Sequence, residues 1–129
     1  MKKLTFTAIA ALAAMLLALA PTAMARGDDD RVIKQGSCSA SSTWKLKVKS
    51  DDGQLETEFE VDQNRVGKRW RVTIKRDGNV AFRGIRTTRA PSGSFSVERR
   101  LANSPGSDRI VASAKALQSG ETCRAVINF

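Results

Sequence analysis

The sequence contains no histidine and no tyrosine. Losing histidine removes the commonest general base, the usual nucleophile–base triads and most catalytic zinc sites. A pair of carboxylates still suffices for glycoside cleavage. Here, however, the clustered acids are Asp28, Asp29 and Asp30 in one run and Glu56, Glu58 and Glu60 in another. The first run reads as a solvated acidic tail, and the second alternates along a strand opposite lysines, so neither forms a cleft. No Gly-rich phosphate loop follows a strand, and the serines lie in turns without a base beside them. The chain is expected to be no enzyme and to carry neither metal nor cofactor. Two short matches add nothing to that: Arg26-Gly27-Asp28 resembles an integrin-type tripeptide by chance in a tail, and the aspartate run lacks the spacing and closing glutamate of an EF-hand loop.

Long apolar runs are also missing beyond the first residues, and the C-terminus has no hydrophobic tail or lipid-anchoring motif. At the N-terminus, Lys2 and Lys3, the run LTFTAIAALAAMLLALA, Pro21 and Ala23-Met24-Ala25 read as a helical secretory signal peptide over residues 1–25, cleaved after Ala25. The remaining 129 − 25 = 104 residues suit one domain. The protein is expected to be secreted, and extracellular or associated with the cell envelope, with no transmembrane span in its mature form. Cysteine is scarce too, with only Cys38 and Cys123, neither near another cysteine or any histidine. That spacing argues against a redox or metal pair, and an oxidising compartment makes a Cys38–Cys123 disulfide the expectation.

What the chain does have is a period of two. In TWKLKVKSDDGQLETEFEVD, Asp52-Gly53 is a strong two-residue hairpin turn. Placing the turn there sets Lys49 opposite Glu56, Lys47 opposite Glu58 and Lys45 opposite Glu60, with Trp44 facing Val61 and Leu46 facing Phe59. One face is core, and the other is a charge ladder that specifies register. In RWRVTIK, Trp70, Val72 and Ile74 point inward and Arg69, Arg71, Thr73 and Lys75 outward. A three-residue turn, Asp77-Gly78-Asn79, with a bulge at the glycine or asparagine, then places Ile74 opposite Phe82 and Val72 opposite Gly84. GSFSVERRLA gives a single strand with Phe95 and Val97 inward. A last hairpin turns at Ser119-Gly120, matching Ile110 with Phe129 and Ala112 with Ile127.

These elements predict an all-β domain, a seven-stranded antiparallel two-sheet sandwich over residues 43–129, preceded by an N-terminal segment, 26–42, that contains Cys38. With Trp70 inside the third of those strands, the chain resembles the immunoglobulin-like and fibronectin type III-like sandwiches. It departs from them in lacking a tyrosine corner and in placing its cysteines outside the two central strands. The leader, the Ala/Arg-rich composition and the size are similar to those of small exported actinobacterial proteins.

Charge is segregated. Residues 26–62 carry 6 basic and 9 acidic side chains, a net of −3, whereas residues 63–129 carry 14 and 4, a net of +10. In the resembled fold, Arg69, Arg71, Lys75, Lys115 and Arg124 would share one basic sheet face, with Arg86, Arg89, Arg99, Arg100 and Arg109 near edges and loops. The expected function is a non-catalytic binding module that docks polyanions such as wall phosphate polymers, anionic lipid or nucleic acid. The alternative is a protein-interaction or structural module using a sheet edge or the loops Thr87 to Gly93 and Ala102 to Asp108.

Overall fold

The computed structural model describes residues 30 to 129, so the expected signal peptide and the Arg26-Gly27-Asp28 tripeptide lie outside the described residues. Eight strands follow in order: β1 (Arg31–Ser37), β2 (Thr43–Asp51), β3 (Gln54–Asp62), β4 (Arg69–Arg76), β5 (Asn79–Thr87), β6 (Ser94–Ala102), β7 (Arg109–Ala116) and β8 (Thr122–Asn128). They form two antiparallel four-stranded sheets, ordered β1-β2-β3-β6 and β5-β4-β7-β8. Among the described residues no helix is long and apolar enough to cross a membrane.

Alternation places one side of each sheet in a shared core, as the period-two rule requires. Leu46, Val48, Phe59 and Val61 of the first sheet meet Trp70, Val72, Ile74, Ile110 and Ile127 of the second, all fully buried. The Trp70 ring lies 6.3 Å from that of Phe95. Its indole N–H donates to Gln63 Oε1 at 2.9 Å, so the largest core side chain leaves no polar group unsatisfied.

The strand count is eight, not seven, because residues 31–37 pair with β2 and extend its sheet. Their inward positions are Val32, Lys34 and Gly36, which do not show the apolar alternation of a strand. At Gly36 the reason is contact: a Cβ there would lie 2.7 Å from the Trp44 ring. An inward-phased lysine on an edge strand discourages further strand addition.

The β2–β3 hairpin has the predicted register throughout. Only the middle rung of its ladder closes as an ion pair, Lys47 to Glu58 at 3.1 Å. Glu56 is taken instead by Arg100 of β6, at 2.7 Å. The β4–β5 hairpin keeps Ile74 opposite Phe82 and Val72 opposite Gly84, but its turn is the two-residue Asp77-Gly78. The bulge lies farther along, between Ile74 and Lys75, where Ala81 is the extra residue. A tight turn and an apolar interior thus coexist by moving the irregularity into the strand.

The β7–β8 register differs from the expected one by two residues: Ile110 faces Ile127 and Ala112 faces Ala125. A shift of two keeps every side chain on its own face, so the alternation could not discriminate between the two registers. What discriminates is Glu121, which the longer turn places at the base of β8, only 7% exposed. Its carboxylate accepts from the Ser42 N–H at 2.8 Å, the Ala40 N–H at 3.2 Å and the Ser42 hydroxyl at 2.8 Å. The connection between β1 and β2 is thereby latched to the opposite sheet, beside the Cys38–Cys123 disulfide. Glu121→Ala would orphan the buried Ser42 N–H and hydroxyl and the partly buried Ala40 N–H, so it is expected to destabilise the protein by about 2–3 kcal/mol. That lowers the melting temperature by roughly 10 °C or more. A calorimetric scan showing a change of only a degree or two would mean that solvent satisfies the loop as well as Glu121 does.

Candidate functional site: a cationic sheet face

The outward side of β5-β4-β7-β8 is built by the same alternation that fills the core. Residues 69, 71, 73 and 75 of β4 share a phase, and the pairings bring 83 and 85 of β5, 109, 111, 113 and 115 of β7 and 122, 124 and 126 of β8 onto the same side. All five expected site residues, Arg69, Arg71, Lys75, Lys115 and Arg124, lie on this face and are exposed. Two more belong with them. Arg83 stands opposite Thr73, and Arg109 begins β7 on the same side instead of sitting at an edge. Arg83 was legible, because placing Phe82 and Gly84 inward obliges residue 83 to point outward.

Seven cations therefore occupy the strands of the face, and among the described residues the one carboxylate that continues its phase is Asp77 in the β4–β5 turn, which accepts the Arg109 backbone N–H at 2.8 Å. None of the seven makes an ion pair among the described residues. Arg71 stands directly across from Lys115. Like charges in that relation are destabilising, so nothing in folding favours the pair. The two-residue shift of β8 relieves a second such contact, since Arg124 now faces Ser113 and not Lys115.

The opposite face provides an internal comparison. On β1-β2-β3-β6, Arg31, Lys45, Lys47, Lys49 and Arg100 intersperse with Asp51, Glu56, Glu58, Glu60, Asp62 and Glu98. Arg100 contacts both Asp51 and Glu56, so it does not add to the cationic face. Arg86 and Arg99 have inward phases on the edge strands β5 and β6 and cover the Phe82 ring from 4.9 and 4.3 Å. There they shield a core aromatic at the open edge between the sheets. Arg76 donates from Nε to the buried Asp108 at 2.9 Å and also reaches the Ser104 hydroxyl, which makes it a structural cation.

The cationic face is not flat. Two shallow depressions, of about 470 and about 310 Å³, adjoin on it and share Ser113 and Arg124. Lys75 and Arg109 line the first, and Arg71 and Lys115 the second. The aromatic rings of Trp70, Phe59, Phe82 and Phe95 are all buried, so none lies on this surface. No protein-family model, curated protein or solved structure matches the chain. What the face does must therefore be argued from its own chemistry.

Proposed function

We propose that the protein is a small exported, non-catalytic binding module of the immunoglobulin-like or fibronectin type III-like kind. Its β5-β4-β7-β8 face docks polyanionic material outside the cell or at the envelope. The observation that carries this reading is the segregation of sign. A surface made for solubility mixes charges, as the other sheet does, whereas seven cations on one side, none ion-paired among the described residues, create a sustained positive potential. Binding then proceeds by release of counterions from the polyanion. Export is supported by the leader-like N-terminus and by the Cys38–Cys123 bridge, which suits a non-reducing compartment.

Retention of the purified protein on heparin and on isolated cell envelope, followed across a salt gradient, tests the reading. Retention is expected to fall steeply, with a log–log slope of roughly −0.7 to −0.9 for each anionic group neutralised. Retention that is absent, or that ignores salt, removes the face as a site.

A further inference from the structure

We propose, resting on the polyanion reading above, that the centre of the cationic face is a seat for a tetrahedral phosphate group. The ligand it serves is a linear polyol-phosphate chain. One row across the sheet runs Arg83, Thr73, Ser113, Arg124. Its two middle members are small hydroxyl residues, half-buried, and neither hydroxyl hydrogen-bonds another protein group among the described residues. The floor of the depression is thus a pair of free donors with an arginine at each end. Above this row stand Arg71 and Lys115, opposite one another; below it is Lys75.

The donor set selects the shape of the anion. Guanidinium groups match carboxylate and phosphate alike, but here the two hydroxyls lie between an arginine at each end of their row, with Arg71 and Lys115 above and Lys75, beside Val111, below. A tetrahedral oxyanion uses such a set more fully than a planar carboxylate does. The site is also longer than one anion, because the two depressions meet at Ser113 and Arg124 and extend toward Lys75 in one direction and Arg71 in the other. Outward residues recur about every 6.6 Å along a strand and about every 4.8 Å between strands. Phosphates joined by a short polyol repeat on the same scale, so neighbouring charges of one chain reach successive cations.

The backbone chemistry alone would admit a single-stranded nucleic acid. Such ligands, however, draw much of their affinity from bases stacked on exposed aromatic rings, and among the described residues this face has none. A polyol-phosphate chain has nothing to stack and loses nothing on such a surface. A bilayer, in turn, presents a plane of headgroups that would span the depression without filling it.

The test titrates the purified protein with three probes of stated composition: a glycerol-phosphate oligomer, an oligothymidylate with the same number of phosphates, and phosphatidylglycerol vesicles. The same titrations follow for Thr73→Val combined with Ser113→Ala, which removes both hydroxyls and no charge. Melting temperature confirms that the variant folds. The expected result is tightest binding of the glycerol-phosphate oligomer. Its affinity falls about tenfold or more in the variant, the effect of a lost hydrogen bond to a charged acceptor. The salt slope stays unchanged, because every cation is still present. Equal affinity of protein and variant, with the slope intact, overturns the phosphate seat and leaves polyanion docking standing. Tighter binding of oligothymidylate or vesicles overturns the polyol-phosphate assignment. No binding of any probe by the unaltered protein overturns both.

Discussion

Arg71→Glu combined with Lys115→Glu is expected to reduce retention on a polyanion on the order of a hundredfold at low salt, while the melting temperature stays within a few degrees of the parent. The face falls from seven positive charges to a net of 7 − 4 = +3, and the change is concentrated at its centre. Folding is insulated for a reason particular to this pair. Both side chains are exposed, and the substitution exchanges one directly opposed like-charge pair for another, so the cross-strand penalty is carried over. A matched control separates location from net charge. Lys45→Glu with Lys49→Glu changes the total by the same amount on the opposite face; because it sets glutamate opposite Glu60 and Glu56, its melting temperature is checked before binding is compared. The two outer faces are separated by the core and by more than the screening length at physiological salt, about 8 Å. The control is therefore expected to bind nearly as the parent does. Equal losses in both variants would mean that retention follows overall charge and that the cationic face is not a site.

The sequence showed the face more clearly than the fold around it, and the difference is physical. Outward and inward sets follow from a period of two, which any register slip by an even number preserves. Hence the outward phase of Arg69, Arg71, Lys75, Lys115 and Arg124 was legible even though the β7–β8 turn was misplaced, while their sharing one sheet rested on the resemblance to immunoglobulin-like sandwiches. The correct turn depended on Glu121 reaching Ala40 and Ser42, about eighty residues away in the chain, and no local pattern carries that information. The β1 strand was hidden for a related reason. An edge strand buries little, so Lys34 and Gly36 at its inward positions are tolerated by context and not by propensity. The β4–β5 bulge shows the converse case: pairing logic fixed the partners of Ile74 and Val72, while the location of the irregularity depended on which residue the strand could spare, Ala81. The Thr73–Ser113 floor emerges only when four strands are laid side by side, since the two residues are forty positions apart in sequence.

Removing the disulfide, with Cys38→Ser and Cys123→Ala together, is expected to produce the largest loss of stability. The bridge spans a sequence separation of 85 residues, and closing a loop of that length contributes roughly 4–5 kcal/mol in the chain-entropy account. For a domain of about 100 residues, each kcal/mol corresponds to roughly 4–8 °C. The melting temperature should therefore fall by roughly 16–40 °C. The location of the bridge explains why other contacts do not compensate. It joins the β1–β2 connection to β8 where few further bonds cross between the sheets: Ser39 N–H to Thr122 O at 2.8 Å, Thr122 N–H to the Ser39 hydroxyl at 2.9 Å, and the Glu121 latch. Without the covalent link, β1 is held mainly by its pairing with β2, and the amides of Ser39 and Thr122 should lose protection from hydrogen exchange first. A melting temperature within a few degrees of the parent, with those amides still protected, would show that the latch suffices alone. Binding should respond differently from stability. Six of the seven face cations lie on β5, β4 and β7, which pair with one another independently of the bridge, and only Arg124 lies on β8. Below its lowered melting temperature the disulfide-free protein should keep most of its polyanion affinity, whereas the Arg71/Lys115 variant loses affinity and keeps its stability.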